Sequence, residues 1–332
     1  MEFRELTLFA MAIGTILYSC GTSIHVIFPY NEVYRPDFLK APVEEQQEIN
    51  VMTFIFMLIM GSISLLLIFY LLSTIINILK FMILIGGVSS VSFVIWDWIF
   101  YVFKSKYSAY IAYGYSILII LIWYQTENFI ITNFLVFCFV VCGISMVKIR
   151  SLKVILFVTI GFLLYDVWWV FISPLFFGKS VMEVAAKAAS TKIPAAMTAP
   201  STPSPANQFY EGASLLGAGD IMLPGIVLDF FIRFDCSYQT NLFEFSFVGY
   251  IFGLFLAWVM VFVMRKGQPA LLWIFPSILI PTLIRAKVTN VLGILWREGT
   301  SKYDKTSEPR SNNPESINDE TLNIDVDFEE AI

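Results

Sequence analysis

The feature that most constrains this chain is a succession of apolar runs, each about as long as a membrane is thick. A hydrocarbon layer of about 30 Å takes roughly 20 residues of helix to cross. Nine such runs, bounded by charges, occur at 7–28, 51–74, 82–103, 108–124, 128–147, 154–174, 212–232, 242–264 and 268–284. Lipid offers the backbone no hydrogen-bond partner, so a crossing segment must be a helix or part of a closed barrel, and the short alternating strands of a barrel are absent. The expected fold is an all-α membrane protein, a bundle of nine transmembrane helices. Composition agrees, since 58% of the 332 residues are hydrophobic and 14% charged, outside the range of soluble domains. The first run, behind Met1-Glu2-Phe3-Arg4-Glu5, is long for the core of a signal peptide and is read as a retained helix.

Three stretches break the pattern. Residues 29–50, with Glu44, Glu45 and Glu48, form an acidic first loop. Residues 178–211 turn to Ala, Ser, Thr and Pro, the composition of a flexible linker. Beyond the last run, acidic residues outnumber basic ones and large apolar side chains are few, which describes a disordered tail. The expected organisation is helices one to five over 1–147, a core of helices six to nine with the 178–211 loop over 148–290, and a cytosolic acidic tail over 291–332.

Several functions are excluded by what is scarce. A net charge of −5 leaves no basic stripe to neutralise a phosphate backbone, so nucleic acid is not an expected partner. His25 is the single histidine, which removes H-E-x-x-H zinc chemistry. Cys20, Cys138, Cys142 and Cys236 lie in or beside apolar runs and read as small fillers. No metal or cofactor is called for. Seven basic residues, among them Arg4, Lys80, Lys179 and Arg265, fall on the face of the N-terminus and even-numbered loops, and fourteen fall on the other. The positive-inside rule then places the C-terminus in the cytosol and the N-terminus on the lumenal or extracellular side.

Against this background the intramembrane carboxylates stand out, because each costs roughly 2.5–3.5 kcal/mol at the centre of a helix. Asp97 lies between Trp96 and Trp98, as at an interface, and Asp229 stands one turn before Arg233, an i,i+4 ion pair. Asp166 and Asp220 have no such local partner. With helix six ending near Pro174 and helix seven starting near Gly212, each aspartate lies eight residues, about 12 Å, inside the same membrane face. Two carboxyls that meet cannot both ionise readily, so they divide into an acid and a base. Such a pair can deprotonate a water and polarise a peptide carbonyl, which is peptide hydrolysis without nucleophile or metal. Membrane carboxylates also serve transporters and ion-leak channels, although those spread them along a path.

The flanking residues are Tyr165-Asp166, Gly217-Ala218-Gly219-Asp220 and Gln268-Pro269-Ala270-Leu271. Glycines beside Asp220 permit close approach by a helix or an unwound strand, Tyr165 can turn its hydroxyl toward the site, and Pro269 reads as a helix start. Together, Tyr-Asp, Gly-x-Gly-Asp and Pro-Ala-Leu resemble the signature of the intramembrane aspartyl proteases that include presenilin and signal peptide peptidase. The likeness runs from about Trp123 to Pro281, with Tyr165-Asp166-Val167-Trp168-Trp169-Val170-Phe171 and Ile232-Arg233-Phe234-Asp235, and is nearer to signal peptide peptidase. The resemblance implies nine helices, Asp166 and Asp220 as the catalytic pair, and a site shaped by Tyr165, Gly217, Ala218, Gly219, Gln268, Pro269, Ala270 and Leu271. It also implies transmembrane peptides of type II orientation and remnant signal peptides as substrates, in the endoplasmic reticulum or another endomembrane. Ala218 departs from the leucine common at the variable position. A protein of this fold that binds membrane segments without cutting them, and association with a second copy, stay open on sequence alone.

Overall fold

A computed structural model of the chain describes residues 3–23, 51–104, 107–178, 181, 193–199, 214–264 and 269–300. Helix is the dominant element, as a chain with few backbone partners in its surroundings requires. The order is α1 (Phe3–Ser23), α2 (Val51–Phe103), α3 (Ser108–Thr126), α4 (Phe129–Met146) and α5 (Leu152–Val167). A π-helical stretch (Trp168–Ile172) joins α5 to the short α6 (Ser173–Phe177). Strands β1 (Ala196–Ala199) and β2 (Ser214–Gly217) precede α7 (Ala218–Tyr238), α8 (Leu242–Met264), α9 (Leu271–Val288) and α10 (Leu292–Arg297).

Several expectations need adjusting. The runs at 51–74 and 82–103 form one helical element interrupted at Leu71 (φ −120°, ψ 30°), which divides it into membrane-length arms Phe54–Leu71 and Ile78–Phe103. The seventh helix starts at Ala218 rather than near Gly212, because Ser214–Gly217 is strand. Within the 178–211 segment, Ala196–Ala199 is paired β-structure, so linker composition there does not mean absence of structure; residues 179–180, 182–192 and 200–213 lie outside the described residues. Residues 292–297, grouped with the tail by composition, are helix, and Leu295 and Thr300 are buried. The acidic loop 29–50 and the tail from 301 also lie outside the described residues.

Among the described residues, eight helical segments are long and apolar enough to cross a membrane. Helix α7 is not one of them, since it carries Asp220, Asp229, Arg233 and Asp235. Protein surrounds it instead. Its Ile221, Leu228, Phe230, Phe231 and Phe234 are fully buried in a core shared with α1, α4, α5, α8 and α9. Helices α8 and α9 pack at backbone contact, where Gly249 and Gly253 leave room: a Cβ on Gly249 would strike the Ser277 carbonyl, and one on Gly253 would lie 2.7 Å from Ile274 Cα. Small residues four apart serve this close approach between membrane helices.

The turns sort onto two faces, as alternating crossings demand. On one, Lys80 at the start of the second arm of α2 pairs with Glu127, between α3 and α4, at 2.7 Å. On the other, Arg233 is wholly buried and bonds Asp229 Oδ2 at 2.9 Å through Nε. Its remaining nitrogens donate to the Ile149 carbonyl at 3.1 Å and the Thr300 hydroxyl at 3.3 Å. The i,i+4 pair read from sequence is thus also a junction of α7, the α4–α5 turn and the segment after α10. Removing one partner of a buried pair leaves an uncompensated charge, worth about 3–5 kcal/mol. Arg233→Met should therefore lower thermal stability in bicelles by that order, while Asp229→Leu/Arg233→Met recovers most of it; equal losses in single and double variants would contradict this account.

Candidate active site

Asp220 is the third residue of α7, with Gly217 as the extended N-cap (φ −60°, ψ 139°). It does not lie eight residues inside a helix, as the apolar run alone implied. Asp166 in turn lies eleven residues before the end of the continuous helical stretch at Phe177, about 16 Å along the axis. The Asp166 carboxylate nevertheless acts electrostatically on Asp220. The reason is β2. An extended chain advances about 3.3 Å per residue, so four residues of strand carry it about 13 Å before the helix begins. A strand does here what the sequence assigned to two helical turns.

The backbone around both aspartates departs from regular helix. Immediately after Asp166, the Ser173 N–H bonds the carbonyl of Trp168, an i→i−5 turn, and Pro174 follows with no N–H to give. Ser173 Oγ donates to the Trp169 carbonyl at 2.6 Å and accepts from Val181 N–H at 3.3 Å. Such wide turns recur at functional sites. Asp166 itself is buried.

On the other side, β1 and β2 are antiparallel, with Ala196 opposite Gly217 and Thr198 opposite Leu215. The Ala218 N–H donates to the Ala195 carbonyl at 3.0 Å, extending the ladder onto α7. Antiparallel pairs alternate between bonded and non-bonded. The backbone groups of Thr198 therefore point away from β2, and those of Leu215 and Gly217 point away from β1. Among the described residues this sheet has two strands, so no strand covers the outer edge of β2.

The remaining sequence candidates fall into place unevenly. A Cβ on Gly217 would lie 3.2 Å from Asp220 Oδ2, whereas one on Gly219, an exposed residue, would meet nothing within 4 Å. Only at the first glycine would an added Cβ crowd a neighbour, the Asp220 carboxyl. Ala218 is half-buried at the first helical position. The Tyr165 hydroxyl lies against Gly61 of α2, within hydrogen-bonding reach of Ser62, and within electrostatic range of Asp166. Pro269 is buried, Ala270 caps α9, and Ala270 and Leu271 join the core that holds Leu216, Ala218 and Ile221. Gln268 lies outside the described residues.

Two residues escaped the sequence reading. Tyr250 of α8 is fully buried within electrostatic range of Asp220, and its hydroxyl has no hydrogen-bond partner among the described residues. Nothing local marks it beyond its place between Gly249 and Gly253. Asn133 of α4 bonds β1 directly: the Thr198 N–H donates to its Oδ1 at 2.8 Å, and its Nδ2 donates to the Thr198 carbonyl at 2.8 Å. A primary amide inside an apolar run was the available signal.

A bundle of membrane helices with two carboxyls in electrostatic interaction beside irregular backbone defines a class, and comparison with known proteins assigns it. The model of the signal peptide peptidase family matches residues 41–302, and the chain belongs to that family. It is 31% identical over 167 residues to signal peptide peptidase-like 3 of Oryza sativa subsp. japonica, covering 48% of this chain and 31% of that protein. It is 32% identical over 173 residues to signal peptide peptidase-like 5 of Arabidopsis thaliana, covering 50% and 32%. Against signal peptide peptidase of Homo sapiens it is 30% identical over 195 residues, covering 57% and 50%. The matched region thus spans between about a third and a half of these relatives' length. No solved structure matches the chain.

The glycines offer a paired test. Gly217→Ala should displace the Asp220 carboxyl and reduce peptidase turnover about tenfold or more with a stability change under about 1 kcal/mol. Gly219→Ala, which meets no protein atom, should leave stability unchanged and raise KM if substrate uses that space. Equal activity of Gly217→Ala and wild type would show that the contact is unimportant.

Proposed function

We propose that the chain is an intramembrane aspartyl endopeptidase that cuts transmembrane segments with Asp166 and Asp220. The observation that carries this reading is the electrostatic influence of Asp166, on α5, upon Asp220, at the start of α7, beside an edge of β2 that no strand covers among the described residues. One carboxyl, protonated, hydrogen-bonds the scissile carbonyl while the other removes a proton from the attacking water. The acid's proton passes to the carbonyl oxygen to give a neutral gem-diol, which collapses as the carboxyl that took the proton from water delivers it to the leaving nitrogen and the other regains one from a gem-diol hydroxyl. Which aspartate begins protonated belongs to the pair rather than to either residue.

A helical substrate resists this chemistry, since its carbonyls are already bonded along the helix. Unwinding frees them but strands N–H and C=O groups in a poor solvent. The β2 edge supplies partners: an extended substrate beside Leu215 and Gly217 exchanges its lost helical bonds for ladder bonds about 4.8 Å away. Gly217 stands three residues before Asp220, so that pairing delivers the strand to the carboxyls. The wide turn after Asp166 and the open space at Gly219 support the same entry.

Family membership supports single-pass type II segments and remnant signal peptides as the substrates. The distribution of basic residues supports a cytosolic C-terminus, and kinship supports the endoplasmic reticulum or a related endomembrane as the location. The lipid bilayer is the surrounding partner, and self-association is compatible with the fold.

Purified protein in bicelles with a labelled type II peptide tests this reading. Asp166→Asn and Asp220→Asn should each lower kcat by at least roughly a thousandfold, with unchanged thermal midpoints; cleavage surviving either change would remove the dyad mechanism. Ion flux in proteoliposomes that persists in both variants would favour a channel. A second measurement addresses the strand: N-methylating the peptide backbone one residue at a time should slow cleavage with a period of two, and a uniform response would count against pairing at β2.

A further inference from the structure

The two-stranded sheet has two edges, and the protein treats them differently. The outer edge of β2 lies beside Asp220 with no strand against it among the described residues. The outer edge of β1 is met by α4. There Asn133 makes both bonds that a neighbouring strand would make to Thr198, accepting from its N–H and donating to its carbonyl, each at 2.8 Å. The Thr198 hydroxyl adds a weaker contact to the same Oδ1 at 3.3 Å. A side-chain amide has the donor and acceptor of a peptide group, which is why one asparagine can stand in for a strand residue. Its placement matters because β1 otherwise offers the wrong edge. An extended peptide paired there would lie a full strand farther from Asp220, another 4.8 Å or so.

We propose that Asn133 is a positioning residue for the peptidase: as a surrogate strand it closes the β1 edge, fixes the hairpin to α4, and so directs an incoming peptide to β2. The proposal rests on the reading of β2 as the substrate edge. Asn133 touches neither substrate nor the carboxyls. It acts through Thr198, then the β1–β2 ladder, then the Ala218 N–H bond to Ala195 that ties the ladder to the first turn of α7. Because the amide engages the backbone of residue 198, the asparagine is required while the threonine side chain is replaceable.

The test uses the full chain in bicelles, comparing wild type with Asn133→Leu, Asn133→Asp and Thr198→Val. Amide exchange over 196–199 and 214–217 should accelerate at least tenfold in Asn133→Leu and less in Asn133→Asp, which keeps the acceptor. With a labelled type II peptide, Asn133→Leu should lower kcat at least tenfold with KM within about twofold, and cuts should spread to neighbouring peptide bonds. Thr198→Val should match wild type within twofold in all three readouts. A photoreactive residue replacing Leu215 should label the peptide in wild type, and labelling through a replaced Ala199 should rise only in Asn133→Leu.

Unchanged exchange, or slower turnover fully matched by fewer titratable sites with cut positions preserved, would overturn the proposal. Failure of wild type to cleave would overturn the protease reading alone; exchange and labelling would still decide the role of Asn133.

Discussion

No peptide group can be left without a partner inside a hydrocarbon layer, and the rest of this structure follows from how that demand is met. Where side chains are uniformly apolar, the chain meets it with helix. Where the chain leaves helix, at the turn after Asp166 and the strands before Asp220, protein has to provide the bonds. Ser173, Asn133 and the β1–β2 ladder do so. Irregular backbone at membrane depth is tolerated only where protein or a polar cavity surrounds it. The two departures flank the two carboxyls, so the groups needing shelter from lipid and the groups suited to chemistry occupy one neighbourhood.

Much of this was legible in the chain itself. The apolar runs announced the helices, because uncharged stretches of about 20 residues match the thickness of a bilayer and little else. Asp166 and Asp220 were conspicuous because nothing nearby offset their burial, whereas Arg233 offered Asp229 an obvious partner. The hairpin was not legible. Four residues are too few for alternation to register, and Ser214-Leu215-Leu216-Gly217 reads equally as strand or helix. Their partner is β1, which is in turn bonded at Thr198 by Asn133, more than sixty residues away. Linker composition also misled at Ala196–Ala199, since small residues suit a tight strand pair as well as a flexible tether. The turn of α10 was hidden for a related reason: its docking depends on Arg150, Lys153 and Arg233, which belong to other segments.

Polar groups within the bundle divide by how completely they are satisfied. Arg233 bonds three separate parts of the chain and is sealed from solvent, the pattern of a structural junction. Asp220 sits at a helix start beside an edge of β2 that no strand covers, with Tyr250 near it lacking a hydrogen-bond partner, both among the described residues.

The character of α7 bears on how such a protein is made. A segment carrying four charged residues gains little by leaving an aqueous channel for lipid, so the helix bearing Asp220 is the poorest self-inserter of the set. Its stability in the bilayer comes from neighbours on both sides in sequence, including α8 and α9, which are synthesised after it. Maturation of the centre is thus tied to completion of the chain, and a truncated nascent form would hold its second aspartate in no settled place.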